Sequence, residues 1–457
     1  MTQQQASTGL KLGCIADDFT GATDLANNLV RAGMRVLQTI GVPTEPLGLG
    51  VDAVVVALKS RTLPAAEAVT QSLHALRWLQ SQHAQQIYFK YCSTFDSTAH
   101  GNIGPVTEAL MDALGTDFTI ATPAFPDNGR TVFKGYLFAG DVLLNESGMQ
   151  NHPLTPMTDP NLVRVLQAQL ARRKVGLIDY RAVALGPEAV RARIAELKAL
   201  GVSIAIVDAV SNHDLLRLGP ALKDLPLLTA GSGVAIGLPA NFGLLPSAQA
   251  SELPPPEGLR AVVSGSCSMA TNRQVLNFIQ SGRPALAIDP LRIAGGADVA
   301  AEALAWAAPR LQDGPVLVYS TADGPSVKAI QGQLGVGEAG AMVERTLAAI
   351  ARGLVEHGVR QLVVAGGETS GACVQALGIT QMQIGPQIDP GVPWCHAQVA
   401  PPSSGRRPLA APQGGVVDLG VGRRAADPAL RTGLHLALKS GNFGTDDFFT
   451  KAFTMLQ

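Results

Sequence analysis

Short aliphatic runs alternate along the whole chain with stretches that place an apolar residue every three or four positions. That alternation predicts parallel strands joined by helices covering both faces of a sheet. In the first half the runs fall at 11–16 (KLGCIA), 51–58 (VDAVVVAL), 86–90 (QIYFK), 117–122 (DFTIAT) and 203–207 (SIAIV). In the second half they fall at 259–264, 285–289, 315–320, 361–365 and 435–439. Between the first two runs, Ala22, Leu25, Ala26, Leu29 and Val30 share one helical face, and Gly33 stands where such a helix closes. Further helices are expected over 64–82, opening on Pro64, and around Val343, Leu347, Ile350 and Leu354.

Residues 241–257 lose this periodicity and carry three consecutive prolines, a stiff composition read as a linker. It separates a domain over 1–240 from a domain over 258–457. The fold class expected is α/β: two domains, each a mostly parallel sheet flanked by helices. Within the second domain the stretch 395–433, dense in Pro, Gly, Ala and Arg, is expected to be a long irregular connection.

Composition narrows the function classes. Charged residues make up 16% and aromatics 5% of a chain that is 46% hydrophobic, so small aliphatic side chains must fill the core. The 35 basic and 36 acidic residues leave a net charge of −1, which offers no electrostatic footprint for nucleic acid or an anionic membrane. Five scattered cysteines with no C-x-x-C pair indicate neither a disulfide framework nor a zinc ribbon, and a reducing cytoplasm is the expected location. The polar N-terminus has no signal pattern, and no apolar stretch reaches the ~18 residues of a membrane span.

Candidate chemistry gathers where strands end, the edge at which open α/β sheets bind ligands. The first run leads into Asp17-Asp18-Phe19-Thr20-Gly21, with two acids where a helix N-cap needs only one. Lys59, Ser60 and Arg61 follow the second run; Lys90, Ser93 and Asp96 follow the third; Asn128 and Arg130 follow the fourth. Each alone is an ordinary loop residue. Together they would line a small cleft for an anionic polyol, with guanidinium groups clamping a carboxylate and amides or acids binding hydroxyls.

In the second half Gly366-Gly367-Glu368-Thr369 opens a short helix, an arrangement that either caps the helix or cradles a phosphate on backbone N–H groups. Ser264-Gly265-Ser266-Cys267-Ser268 and Lys439-Ser440-Gly441-Asn442 stand at two other strand ends. Three such loops favour nucleotide binding over three unrelated caps. No P-loop is present, and the one G-x-G-x-x-G, at 335–340, follows no strand. A nicotinamide-dependent oxidoreductase and a non-catalytic sugar-acid sensor are the alternatives from other classes.

IADDFTGATD (15–24), KSR (59–61), KYCSTFDST (90–98), PAFPDNGRTVFKGYLF (123–138), LLNESGMQNHPLTPMTD (143–159), SGSCS (264–268), AGGETSGA (365–372) and KSGNFG (439–444) make the chain resemble the four-carbon acid sugar kinase family, most closely its 3-oxo-tetronate branch. The resemblance implies a substrate domain followed by a nucleotide domain, and ATP-dependent phosphorylation of the terminal hydroxyl of a four-carbon sugar acid. D-threonate or D-erythronate would be the rival substrates. It implies ATP contacts at Ser264, Gly366, Gly367, Glu368, Thr369 and Gly441. Substrate contacts are implied at the 17–18, 59–61, 90–96 and 128–130 stretches. Asp17 or Asp18 is the expected base, and Mg²⁺ is expected from kinase chemistry with its ligands unassigned. The sequence fixes no oligomeric state; a homodimer is compatible with it.

Overall fold

The computed structural model describes residues 9–44, 50–95, 98–151, 155–321, 336–399 and 432–456. Its first half contains the parallel strands β1 (Leu12–Ala16), β2 (Val36–Ile40), β3 (Ala53–Ala57), β4 (Gln86–Lys90) and β5 (Thr119–Thr122). A separate three-stranded antiparallel sheet follows, made of β6 (Arg130–Phe133), β7 (Tyr136–Ala139) and β8 (Val142–Leu143). The parallel set resumes with β9 (Val175–Ile178), β10 (Ile204–Val207) and β11 (Leu227–Ala230). Every residue of β1, β3 and β4 is buried, as expected for strands covered by helices on both faces.

The second half adds β12 (Leu259–Ser264), β13 (Ala285–Ala287), β14 (Val316–Tyr319), β15 (Val359–Ala365), β16 (Gln381–Asp389), β17 (Val392–Val399) and β18 (Thr432–Lys439). Strands β13, β14, β12, β15 and β18 run parallel, and β18, β17 and β16 then pair antiparallel. Each half is thus a mostly parallel sheet, as expected. The sheets are not separate, however: β16 pairs antiparallel with β2, with Gln381, Met382 and Gln383 opposite Thr39, Gln38 and Leu37. One sheet of 15 strands runs through both halves.

The runs with continuous apolar character are found within one to three residues of their expected limits. Strands β2, β9, β11, β16 and β17 were not foreseen; in β2 and β16 the polar residues Gln38, Gln381 and Gln383 interrupt the apolar signal. A short 3₁₀ turn over Pro239–Phe242 runs into the region 241–257, which holds a second one, Ala248–Ser251. Of the expected irregular stretch 395–433, residues 395–399 belong to β17 and 432–433 to β18, and the remainder lies outside the described residues.

Helix α1 (Phe19–Arg31) shows why pattern alone misleads. Its apolar face is buried as expected, but Thr23, Asp24, Asn27 and Asn28 on the other side are buried too. Asn27 donates to Gln387 Oε1 in β16 at 2.6 Å, and Asn28 donates to the Ser232 carbonyl at 3.0 Å. The polar face therefore packs on protein, from both halves of the chain. Gly33, at φ 104°, follows the helix; a Cβ there would stand 2.0 Å from the Leu245 carbonyl oxygen, so only glycine lets 241–257 pass this close.

The sheet places both sets of loops. In the first half the chain moves from β1 through β2 to β3 on one side, then crosses to β4 on the other. In the second it moves from β12 through β13 to β14, then crosses to β15. Such reversals open crevices at the carboxyl ends of β1 and β12, where ligands of open sheets bind.

Met382 is fully buried in β16 at the junction. Met382→Ala should cost about 2–5 kcal/mol, read as a lower urea midpoint for the whole chain.

Candidate active site

At the carboxyl end of β1 the chain must turn into α1, and the two acids of this turn take different places. Asp18 is the N-cap: its Oδ1 accepts from the Gly21 N–H at 3.0 Å and its Oδ2 from Thr20 Oγ1 at 3.1 Å. Asp17 faces the loop after β3, where Arg61 grips it through Nε at 2.9 Å and Nη2 at 2.6 Å. The same Nη2 reaches Asp18 Oδ1 at 2.7 Å. The loop is fixed from behind, since the Asp17 carbonyl accepts from the N–H groups of Ser60 and Arg61. Burial alone would raise the Asp18 carboxyl, but Arg61 and Lys90 outweigh it and hold it below the usual carboxylate range. Burial works the other way on Arg61, and Asp17 and Asp18 overcome it to keep the guanidinium charged.

Lys90, at the end of β4, is buried and donates from Nζ to the Tyr91 carbonyl at 2.7 Å. Gly21 makes room for it: a Cβ there would lie 2.2 Å from Asp18 Oδ1 and 2.8 Å from Lys90 Nζ. Arg130, at the start of β6, donates to the Asn128 carbonyl at 2.6 Å. Its Nε is buried without a partner, it makes no ion pair among the described residues, and burial lowers its pKa.

A cavity of about 240 Å³ opens over these groups. From the first half it is lined by Asp18, Arg61, Lys90, Ser93 and Arg130, together with Asp24 and Cys92; from the second half it is lined by Ser440, Asn442 and Phe443. Five of the expected substrate-side residues thus converge on one cleft. Asp17 stands behind it through Arg61. Ser60 contributes through its backbone, and its carbonyl accepts from Asn102. Asn128 is one loop away, its Nδ2 buried without a partner. Lys59 turns elsewhere, pairing with Glu368 at 2.6 Å across the two halves. Asp96 lies outside the described residues.

Asp24 was missed. It sits on α1 four residues after Thr20, so the two share a helix face, and both line the cleft. Its Oδ2 accepts from Ser232 Oγ at 2.5 Å, while its Oδ1 is buried without a partner. Burial pushes its pKa up to about 7, against the opposing effects of Lys90 and the Ser232 hydroxyl. The available sequence signal was a run of polar residues, Asp24, Asn27 and Asn28, inside an otherwise apolar helix.

The second set of loops meets at the ends of β12, β15 and β18. Gly366, at φ 118°, precedes helix α2 (Gly367–Ala376), and its N–H donates to the Lys439 carbonyl. Ser264 Oγ is 2.7 Å from Thr321 Oγ1. The N–H groups of Gly265 and Ser266 both donate to the Ala365 carbonyl. Thr369 leans over Gly265, where a Cβ would approach its Oγ1 to 2.2 Å. The Gly441 carbonyl collects bonds from Ser268 Oγ, Thr271 Oγ1 and Lys439 Nζ, at 2.5, 2.9 and 2.9 Å. Lys439 is fully buried among neutral partners, and burial pushes its pKa down to about 7. The two loop sets adjoin: a Cβ on Gly367 would lie 3.8 Å from Thr20 Oγ1, and one on Gly371 would touch the Phe19 ring at 2.8 Å. The start of α2 thus packs against the start of α1.

Comparison with known proteins finds two family models on the chain. A model described as a sugar-binding N-terminal domain matches residues 12–238, and one described as a nucleotide-binding C-terminal domain matches residues 261–449. A 3-oxo-tetronate kinase of Pseudomonas fluorescens is 57% identical over 450 residues, covering 97% of both chains. The 3-oxo-tetronate kinase of Burkholderia multivorans is 57% identical over 449 residues, with the same coverage. A crystal structure of a Haemophilus influenzae protein superposes with a TM-score of 0.74 at 44% identity, over 97% of this chain and 100% of that one. A Salmonella typhimurium structure described as a putative tRNA synthase superposes at 0.81 with 43% identity, over 98% of this chain and 100% of its own. Among the described residues no helix is long and apolar enough to cross a membrane.

Between pH 7 and the usual lysine value of 10.5, the unfolded chain carries a proton on Lys439 that the folded chain does not. That difference makes stability rise with pH across the window. Lys439→Met should flatten the rise, measured by denaturant melts across this range. Gly21→Ala should disturb both Asp18 and Lys90, raising the substrate KM about tenfold or more if each loses one charge-assisted bond.

Proposed function

The chain belongs to the four-carbon acid sugar kinase family, in its 3-oxo-tetronate branch, and on that footing we propose that it transfers the γ-phosphoryl group of ATP to the terminal hydroxyl of 3-oxo-tetronate. The observation that carries this reading is the cleft itself. Its cationic wall comes from the sugar-binding half and its opposite wall from the KSGNFG loop of the nucleotide-binding half.

The chemistry follows from what each wall can bind. Arg61 is already committed to Asp17 and Asp18, whereas Arg130 makes no ion pair among the described residues, so Arg130 is the natural clamp for the substrate carboxylate. Lys90 adds positive charge beside it, and Ser93 offers a hydroxyl to the polyol. Asp17 and Asp18 hold Arg61 in place and so shape the cleft. On the other wall, the N–H groups at the start of α2 and the hydroxyls of Ser264 and Thr369 suit a polyphosphate. Gly366, Gly367 and Gly441 let its oxygens approach the backbone. Rotation of the halves toward each other would exclude water, which otherwise competes as acceptor.

Mg²⁺ suits this site as an ion held mainly by phosphate oxygens and water, because the described residues contain no cluster of three or more ligating side chains. Glu368 and Glu344, the carboxylates near Lys59, would hold it beside the cradle. When bound it would neutralise charge on the transferring phosphate.

A coupled ADP-release assay across four-carbon acids tests the reading. Turnover is expected to be highest with 3-oxo-tetronate; a preference for D-threonate or D-erythronate would move the chain to that branch, and no ADP release would refute the kinase. Gly366→Ala imposes about 1–2 kcal/mol of left-handed strain, so the ATP Kd should rise about tenfold while the substrate Kd stays constant in calorimetry.

A further inference from the structure

Three carboxylates reach the cleft region from one stretch of chain, and only one has an uncommitted oxygen. Both oxygens of Asp17 are held by Arg61. Asp18 accepts from Gly21, Thr20 and Arg61 and is held in its charged form. Asp24 lines the cleft and is buried, its Oδ2 oriented by Ser232 and its Oδ1 without any partner. A buried, unsatisfied carboxylate oxygen costs stability and calls for an explanation.

Its surroundings supply one. From β4, Tyr88 and Lys90 act on Asp24; from the start of α1, Asp18 does; from the loop after β11, the Ser232 hydroxyl does. From the second half Gly391 approaches it, since a Cβ there would lie 2.7 Å from Oδ1 and 2.6 Å from the Phe443 ring, and Phe443 lines the same cleft; both are uncharged. Asp24 therefore sits at the contact between acceptor side and donor side, with its free oxygen turned toward the donor half.

We propose that Asp24 is the general base of the phosphoryl transfer, a role that rests on the kinase reading above. As the terminal hydroxyl of the sugar acid attacks, its O–H bond breaks and the proton passes to Asp24 Oδ1. The hydroxyl oxygen bonds to the γ-phosphorus of ATP. The bond from that phosphorus to the β,γ-bridging oxygen breaks, and its electron pair leaves on ADP. A base works best when it titrates near the working pH, and burial brings Asp24 there, to about 7. Asp17 and Asp18 keep a structural task, holding Arg61.

The test is the pH profile of kcat for the full chain with ATP and the sugar acid. In the wild type kcat should rise with pH through about 7, as Asp24 gives up its proton. Asp24→Asn should lower kcat by about 100-fold or more and abolish that limb, with substrate and ATP Kd little changed in calorimetry. Ser232→Ala removes the hydrogen bond that favours the charged carboxylate, so the limb should move to higher pH, an effect that a merely structural Asp24 would not produce. Turnover that survives in Asp24→Asn with its limb intact would overturn the assignment alone. If that variant fails to fold, an unmoved limb in Ser232→Ala would overturn it. Absence of turnover in the wild type would refute the kinase reading and this role with it.

Discussion

The pairing of β16 with β2 is the constraint on which the site depends. Without it the two sheets would share no backbone pairing, and side-chain packing alone would have to set how the halves meet. With it, backbone hydrogen bonds set the register between the halves, and the register decides which loops meet. Helix α1 lies across the seam: Gln38 of β2 donates to the Phe19 carbonyl at its start, and Asn27 in its middle donates to Gln387 of β16. The start of α1 is thereby set against the start of α2. Two crevices that each sheet would form alone become the two walls of one cleft.

Such a junction governs motion as well as placement. A backbone ladder resists sliding, because a shift of one residue would turn buried side chains such as Met382 to the opposite face. It tolerates twisting. The exposed Lys59–Glu368 pair also spans the halves. An exposed pair of this kind contributes little stability, about 0–1 kcal/mol, so it can open and reform as ligands enter.

The continuous apolar runs were legible in the sequence because parallel strands buried on both faces require them, and β1, β3 and β12 lie close to their expected limits. The convergence of Asp18, Arg61, Lys90, Ser93 and Arg130 was legible for a related reason: strand ends share one edge of a parallel sheet. The seam was not. Strand β16 reads QMQIGPQID, in which alternating glutamines and a Gly-Pro pair resemble a turn, and only pairing with β2 and β17 explains it as a strand. The hairpin from Arg130 to Ala139 was hidden for another reason. Its turn at Lys134 and Gly135 takes positive φ at both residues and is held by Asp208, far away in sequence, which accepts from both of their N–H groups.

The roles of the acids show where sequence reasoning stops for a physical reason. Asp17, Asp18 and Asp24 are the same residue type within eight positions, and no local pattern ranks them as acids or bases. Their environments do. A guanidinium from a loop about 40 residues away immobilises the first two, while the third is closed in by the Ser232 loop, Gly391 and Phe443, all more than 200 residues distant in the chain. Desolvation by partners so remote is a property of the fold. It separates chemically identical carboxyl groups into one that keeps its charge to hold an arginine and one that can gain and lose a proton near neutrality. The positions that bring α1 across the seam are therefore as necessary to this chemistry as the acids themselves.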